Sequence, residues 1–365
     1  MKWTVLASLL TLAMIIGVLF MFNPEDKSEE AGKKVRIAMI MTGLRNDRSW
    51  NESHFDALQK AERDLNLEIA YYENVPADST ARTIMEQAIK NGANIIITNS
   101  FGFGDVELMV ARNYPETKFF HATGLQSATN FSSFFGRIYQ LRYLSGIIAG
   151  MKTKTNEIGY VAAYNISEVN RGINAFALGV RKVNPKAKVY VSWTRSWTDE
   201  SLAADATRAL FQKHHIDVLA THVDALTPFE VANEKGAWII GYNKDNSERF
   251  PKRYLTAIIW HWDRFYIPKI REVLQEKFEG RNYWLGLESG IMDFSKMTEH
   301  VDDSIRAAVE EEKNRLIHGK FDVFYGPIVD NHGVVRVGEG ESMTDDAMLN
   351  RFDWFVKGVV DGVNP

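Results

Sequence analysis

Apolar runs of strand length alternate with segments of helical period from Val35 onward, which is the pattern of βαβ units around a parallel sheet. In the first half of the chain, strands are predicted at residues 35–41, 67–72, 94–98, 118–122 and 131–135. In the second half, they are predicted at residues 157–163, 188–193, 217–221, 237–241 and 254–259. The repeated scheme predicts an α/β protein with two Rossmann-like lobes, each around a parallel sheet of about five strands.

Helix signals lie between these strands. Ser49, followed three residues later by Glu52, has the spacing of a capping box, and apolar residues follow at helical intervals. Further helices are predicted at residues 78–91, 168–183, 203–213 and 228–235. The apolar, glycine-containing stretch at residues 137–152 is expected to pack between the lobes or to lead across the hinge. A turn at residues 331–333 predicts two strands around it.

The pattern divides the chain into four parts. Residues 1–34 form an N-terminal membrane segment and tether, residues 35–150 the first lobe, and residues 151–265 the second lobe. Residues 266–365 are expected to supply the hinge crossovers and the C-terminal segments that complete both lobes.

The N-terminus carries the membrane signal of the sequence. Lys2 precedes residues 5–22, a run of 18 residues without a charge, and acidic residues follow it. A membrane span needs about 17–25 such residues, whereas the apolar part of a secretory signal has about 7–15. An uncleaved anchor is therefore predicted, with a cleaved signal peptide as the alternative. Lys2 favours a cytoplasmic start, which places the lobes at the outer side of the cell membrane.

Composition narrows the possible chemistry. The chain has no cysteine, which excludes disulfides, thiolate metal sites, a cysteine nucleophile and a lipid-bearing cysteine. The formal net charge of -4, with Lys and Arg scattered, gives no electrostatic reason to expect a nucleic-acid partner.

The loops after the predicted strands are the expected place for a ligand. In open parallel sheets small molecules bind outside the carboxyl ends of the strands, so two such lobes create a cleft between them. These loops are rich in aromatic and amide side chains, and the chain contains no H-E-x-x-H, G-x-S-x-G or P-loop motif. A binding site is predicted, with no catalytic residues, no metal and no cofactor.

The order of these loop sequences carries a resemblance. Asp47-Arg48-Ser49-Trp50-Asn51 in the first loop is followed by Ser100-Phe101-Gly102-Phe103-Gly104, by Arg171-Gly172-Ile173-Asn174-Ala175-Phe176 and by Gly241-Tyr242-Asn243-Lys244-Asp245. From Lys34 to Val337 the chain resembles the basic membrane protein family of substrate-binding proteins, and it is most similar to a branch that binds free adenine. The resemblance implies a type I periplasmic-binding-protein fold, a purine base or nucleoside ligand, and an ABC importer permease and ATPase as partners.

The resemblance also implies a stacking pair and two departures. In the family's nucleoside receptors two aromatic side chains sandwich the base, and Trp50 and Phe176 stand at those positions. Asn243 stands where those receptors hold ribose with an aspartate, and Trp260 stands where they have a lysine. With both hydroxyl partners gone and a tryptophan filling the space, a bare base is favoured over a nucleoside. The alternative is that Trp50 and Phe176 lie on their helices as residues of the hydrophobic core.

Five further side chains are candidates on their own chemistry. Asp47 and Asp224 could each accept from an exocyclic amine, with helix capping as the alternative. Asn174 could read the edge of an adenine as an amide does in nucleic-acid recognition, or could be a solvated residue. Phe101 and Phe103 flank Gly102, where backbone can approach a ligand closely.

Three functions remain open at this point. The first is a receptor that delivers a purine to an importer. The second is a membrane-anchored purine sensor that signals to a membrane partner. The third is an enzyme, such as a nucleoside hydrolase, which the absence of a recognisable carboxylate pair disfavours.

Overall fold

The computed structural model describes residues 34–319 and 321–362, and its framework is fifteen strands and ten α-helices within those residues. The strands are β1 (Arg36–Ile40), β2 (Glu68–Tyr72), β3 (Ile95–Thr98), β4 (Lys118–Ala122), β5 (Phe131–Gly136), β6 (Glu157–Ala162), β7 (Lys188–Trp193), β8 (Val218–His222), β9 (Trp238–Asn243), β10 (Tyr254–Trp260), β11 (Asn282–Leu285), β12 (Met292–Phe294), β13 (Ile328–Val329), β14 (Val335–Val337) and β15 (Val359–Val360). The helices are α1 (Trp50–Leu65), α2 (Ser79–Lys90), α3 (Gly104–Asn113), α4 (Tyr139–Lys152), α5 (Ser167–Val183), α6 (Glu200–Lys213), α7 (Thr227–Lys235), α8 (Asp263–Leu274), α9 (Asp303–Ile317) and α10 (Asp345–Asn350).

Two sheets organise these elements into two lobes. The first sheet has the order β11-β5-β4-β3-β1-β2, and all its pairs are parallel. The second has the order β12-β10-β9-β8-β6-β7-β15, with β12 antiparallel to β10. The runs β5-β4-β3-β1-β2 and β10-β9-β8-β6-β7 follow the same order, so the predicted duplication and the α/β class with parallel sheets are confirmed.

Each strand predicted from the sequence is present, with ends displaced by at most two residues. The predicted turn is also present, since β13 and β14 pair around residues 331–333. The sequence pattern missed β11, β12 and β15, because their short runs of two to four residues give too little periodicity.

The chain crosses between the lobes three times. It crosses after β5, again after β10, where α8 packs on α1 of the first lobe, and a third time between β11 and β12. Across the α1–α8 contact, His54 Nδ1 lies 2.6 Å from the Tyr266 hydroxyl, and Lys60 pairs with Asp263 at 2.5 Å. These crossings place the carboxyl ends of the two sheets opposite each other.

Helices α4 and α5 pack at unusually short range. A Cβ on Gly146 would lie 2.0 Å from the Phe176 carbonyl oxygen, and one on Gly179 would lie 1.9 Å from the Tyr143 carbonyl oxygen. Glycine at both positions is therefore what lets the two backbones touch. One face of α5 therefore packs directly against α4 and is not accessible to a ligand.

The start of α1 differs from the predicted capping box. Ser49 makes no side-chain cap bond; Asp47 instead accepts from the backbone N–H groups of Ser49 at 2.8 Å, Glu52 at 3.0 Å and Asn51 at 3.0 Å. A carboxylate at this position complements the helix N-terminus.

The predicted anchor at residues 5–22 lies outside the described residues. Within residues 34–319 and 321–362, no helix has the length and apolar character required to span a membrane.

Candidate functional site

A cavity of about 700 Å³ lies between the carboxyl ends of the two sheets. The first lobe lines it with Thr42, Trp50, Asn99, Ser100, Phe101, Thr123, Gly124, Leu125, Phe135, Asn282 and Trp284. The second lobe lines it with Tyr164, Asn165, Ile166, Ser167, Glu168, Asn170, Arg171, Ser196, Trp197, Thr198, Asp224, Tyr242 and Asn243. The C-terminal segment adds Leu349, Asn350, Phe352 and Asp353. Cavities of about 300–1,000 Å³ enclose small organic ligands, so this is a small-molecule site.

Trp50 forms an aromatic wall of the first lobe. It is the first residue of α1, is largely buried, and its indole N–H donates to the Asn99 carbonyl oxygen at 2.6 Å. Phe135, Trp260 and Trp262 meet its ring edge to face at 5.7–6.3 Å between centroids. These contacts fix the ring in one orientation, which lowers the entropic cost of using it as a stacking platform.

Asp224 is the acceptor beside this wall. Asn243 Nδ2 donates to Asp224 Oδ1 at 2.7 Å, and the Ser49 hydroxyl donates to the same oxygen at 3.3 Å. Burial raises the pKa of Asp224 well above the ordinary aspartate value, and the nearby charge of Asp47 adds to this against the two hydrogen bonds. A ligand N–H that donates to Asp224 would favour its ionised form.

Asn243 joins the two lobes at the same point. Its Nδ2 lies 3.1 Å from the Ser49 hydroxyl on the first lobe, and its backbone has a φ of 66°. Asparagine tolerates this left-handed conformation better than other residues with a Cβ. The Trp260 indole N–H donates to Asn243 Oδ1 at 2.9 Å and so orients the amide.

The opposite wall is charged. Glu168 and Arg171 both line the cavity, and Glu168 Oε1 lies 3.2 Å from His222 Nε2. Burial alone would raise the pKa of Glu168, but His222, Arg171 and Arg142 outweigh it and the pKa is lowered. The pKa of His222 is lowered because burial outweighs the neighbouring carboxylate. The lowered pKa makes Glu168 an ionised carboxylate, which His222 stabilises first and the charges of Arg171 and Arg142 stabilise further.

Several predicted site residues meet at the cavity. Trp50, Phe101, Asp224 and Asn243 line it, and Phe101 is 64% exposed at its rim. Trp260 does not line it: the ring is stacked on Trp262 at 4.3 Å behind Trp50 and Asn243. It therefore does not line the cavity, and the expectation that it fills the space left by the missing lysine is not met.

Four other predicted site residues lie outside the lining. Phe176 is fully buried against Tyr160, and Phe103 is fully buried in the core of the first lobe. Asn174 binds the C-terminal chain, donating to the Trp354 carbonyl at 2.7 Å and accepting from Val356 N–H at 2.8 Å. Asp47 caps α1. All four side chains therefore have structural roles: Phe176 and Phe103 pack in the core, Asn174 binds the C-terminal chain, and Asp47 caps a helix.

Sequence reasoning also missed part of the site. Trp197 lies in the loop after β7, where no candidate was predicted, although an aromatic residue just after a predicted strand could have been found there. Glu168 and Tyr164 follow β6, and no feature of the sequence distinguished them from their neighbours. Trp284 comes from β11, whose short run predicts no strand.

Metal chemistry finds no support in the described part of the chain. Within it, no group of three or more His, Cys, Asp or Glu side chains could hold an ion. The site offers aromatic faces, amides and the three carboxylates of Glu168, Asp224 and Asp353, which suit recognition of a small polar aromatic molecule.

Two lobes of parallel sheet with a ligand cavity at their facing ends define a solute-binding protein of the periplasmic-binding type. The chain belongs to the Bmp family of PnrA-like ABC transporter substrate-binding proteins, which matches residues 34–323.

Individual relatives support this placement. A purine-binding protein of Brucella abortus (strain 2308) is 31% identical over 96% of this chain and 99% of its own length. A candidate ABC transporter glucose-binding protein of Haloferax volcanii is 33% identical over 90% of this chain and 81% of its own length. A solved structure of a transcriptional activator of the comK gene from Bacillus halodurans has a TM-score of 0.69 at 20% identity, covering 78% of this chain and 99% of that one. This last likeness shows the fold alone.

Proposed function

We propose that this protein is an extracytoplasmic receptor that captures a purine, adenine-like in its base, and delivers it to the permease and ATPase of an ABC importer. The observation that carries the proposal is the pairing of Trp50 with Asp224. Trp50 offers a fixed aromatic face, and Asp224 offers a carboxyl group that can accept hydrogen bonds from a ligand.

The two groups match the two features of an aminopurine. A flat heteroaromatic ring gains about 1–3 kcal/mol from stacking on one aromatic side chain. An exocyclic amine or ring N–H donates to a buried carboxylate, and such charge-assisted bonds contribute about 1.5–3 kcal/mol. Asn243 adds an amide whose orientation Trp260 fixes. The purine-binding relative supports the same ligand class.

A hexose is the second candidate, because a relative of similar identity is named for glucose. The cavity lining favours the purine, since Trp50, Phe135 and Tyr242 add aromatic surface to the cavity that Asp224 also lines.

Thermal melts of the full chain with adenine, adenosine and glucose test the proposal. Binding to the folded state raises the melting temperature by mass action, in proportion to the logarithm of ligand concentration above Kd. The purines should raise it and glucose should not. A shift with glucose alone would replace the purine by a sugar.

A further inference from the structure

The amino-terminal edge of the second sheet lies opposite the ligand cavity and is basic. Five short segments lead into its parallel strands β10, β9, β8, β6 and β7, and we call them the basic edge: residues 153–157, 184–188, 213–217, 234–237 and 251–253. They contain seven Lys and Arg residues and three acids, although the whole chain has a formal net charge of -4. The segments that lead into β1–β5 of the first sheet, residues 34–36, 66–68, 91–94, 115–118 and 128–131, contain three and two. Positive charge is therefore concentrated at the far end of one lobe.

Strand pairing places the five segments of the basic edge in one row. Glu157 pairs with Lys188, and Val218 pairs with both Ile158 and Trp238, so the strands begin side by side. Neighbouring strands lie about 4.8 Å apart, and five of them span about 20 Å. The positive charges are therefore spread along one face of the lobe.

Two of the three acids of the basic edge are bound by backbone N–H groups. Asp217 Oδ2 accepts from the N–H groups of Lys154 at 2.5 Å and Thr155 at 3.0 Å, and Glu157 Oε2 accepts from the His215 N–H at 2.5 Å. Five exposed lysines of the edge form no ion pair with any described residue: Lys154, Lys186, Lys188, Lys235 and Lys252. Their charges are therefore available to another molecule.

A tryptophan lies among these charges. Trp238 begins β9 and is half-buried, with Lys152 Nζ 4.6 Å and the Arg253 guanidinium carbon 5.0 Å from its ring centroid. Such cation–π contacts hold the two cations in place beside the edge. Tryptophan together with Lys and Arg is the combination that proteins place where they meet a membrane–water interface.

The sequence places a lipid surface within reach of the lobes. Residues 5–22 are the predicted anchor, and the twelve residues that follow it, 23–34, span at most about 40 Å when fully extended. An anchored chain therefore keeps its lobes beside the membrane, where Lys and Arg clusters are attracted to anionic head groups over about one Debye length.

We infer that the basic edge is a docking surface for anionic phospholipid head groups, so that the second lobe rests on the membrane while the cavity at the opposite edge of the sheet stays accessible to ligand. This contact is independent of which ligand the cavity takes.

The test measures how close the basic edge lies to the head groups of vesicles that contain the full chain. Because the chain has no cysteine, one introduced cysteine carries a single fluorescent label. Gln212→Cys places it at the exposed end of α6 beside the basic edge, and Asn113→Cys places it at the end of α3 on the first lobe. A quencher attached to the lipid head groups reports proximity to either label.

Quenching at position 212 should depend on lipid charge. Vesicles of phosphatidylcholine with about 30% phosphatidylglycerol should quench it at least about threefold more than vesicles of phosphatidylcholine alone, and about 0.5 M salt should remove the difference. Because a membrane anchor would hold the chain in both kinds of vesicle, the comparison reports the edge and not the anchor.

Charge-reversal variants identify the residues responsible. The combined variant Lys186→Glu, Lys188→Glu and Lys252→Glu should lose the added quenching, and the corresponding Lys→Gln variant should lose most of it. The matched control reverses three exposed charges on the first lobe and should keep it: Lys90→Glu, Arg112→Glu and Lys277→Glu. Melting temperatures should match the unsubstituted protein, since all six side chains are exposed.

Three results would overturn the docking surface. They are equal quenching in the two kinds of vesicle, equal loss in the basic-edge variant and in the first-lobe control, and equal quenching at positions 212 and 113. If the glutamate variant fails to fold, the glutamine variant decides by the same comparison.

Discussion

The indole N–H of Trp260 donates to Asn243 Oδ1 at 2.9 Å, and this bond fixes which end of the Asn243 amide faces the cavity. With the oxygen held from behind, Nδ2 turns toward Asp224 and Ser49 and donates to both. The tryptophan thus acts on the ligand site through the asparagine, from a position behind the lining.

Trp260→Phe should therefore weaken purine binding about 3- to 10-fold, because loss of one buried hydrogen bond of about 1 kcal/mol frees the amide to reorient. Trp262→Phe is the matched control. Its indole nitrogen has no hydrogen-bond partner among the described residues, although the two rings stack on each other and both meet Trp50 edge to face. Calorimetric titration of both variants measures the difference, and equal affinities would show that the Asn243 bond plays no part.

The Asp224→Asn substitution should weaken adenine binding and raise the stability of the unliganded protein. The variant should bind adenine at least about tenfold more weakly, since it loses a charge-assisted acceptor. Its unliganded form should melt higher at neutral pH. Because the folded pKa of Asp224 is raised above the unfolded value of about 3.9, the folded state binds more protons and loses stability as pH rises through that window.

The same shift predicts a pH dependence of affinity. In the unsubstituted protein, adenine affinity should fall as pH drops through the raised pKa of Asp224, because the protonated carboxyl no longer offers two accepting oxygens. Asp224→Asn should lack this dependence. Titrations of both proteins at a series of pH values above and below neutrality measure it, and parallel pH profiles would contradict the assignment of Asp224.

Trp50→Ala and Phe176→Ala should behave differently, although the sequence paired them. Trp50 lines the cavity, so its truncation should weaken purine binding by about 1–3 kcal/mol. Phe176 is fully buried against Tyr160, so its truncation should lower the free energy of unfolding by about 3–5 kcal/mol and leave affinity nearly unchanged in the folded fraction. Titrations and ligand-free denaturation of the same samples separate the roles. A Phe176→Ala protein of normal stability that fails to bind would reverse the assignment.

The contrast between Trp50 and Phe176 shows how much of the site could be predicted from the sequence. Trp50, Asp224 and Asn243 stand at the carboxyl ends of parallel strands or just after them, and strand ends can be read from apolar runs. This rule correctly predicted that the three residues would lie in one cleft.

Helix α5 shows what could not be predicted from the sequence. Phe176 and Asn174 lie on a helix that α4 covers on one side and the C-terminal segment at residues 345–356 covers on another. That segment lies about 180 residues further along the chain, since Asn174 bonds to Trp354 and Val356. Periodicity tells that a helix has a buried face, but it does not tell what covers that face. The cavity wall formed by the C-terminal segment was missed for the same reason, whereas Trp284 was missed because β11 is too short to give a periodic signal.

A salt link between the lobes gives a further prediction. Lys244, in the loop after β9, places its Nζ 2.7 Å from Glu52 Oε1 and 2.6 Å from Asp56 Oδ2 on α1. Burial lowers the pKa of Lys244, but the two carboxylates outweigh it and raise the pKa, so the amine stays charged. This link stabilises the arrangement in which the lobes meet.

Lys244→Met should weaken binding of every ligand by the same factor, about 2- to 5-fold, because it removes a part-exposed ion pair and shifts the population away from the joined lobes. Lys235→Met is the control, since that lysine ends α7 and lies outside the lobe contact. Dissociation rates with adenine and adenosine check it. A change confined to one ligand would mean that Lys244 contacts the ligand directly.

Calorimetric titration of the full chain with adenine, adenosine and glucose tests the central claim most directly. Recognition of a purine by Trp50 and Asp224 predicts saturable binding at one site for the purines, competition between adenine and adenosine, and no heat from glucose. Saturable binding of glucose with no response to either purine would contradict it.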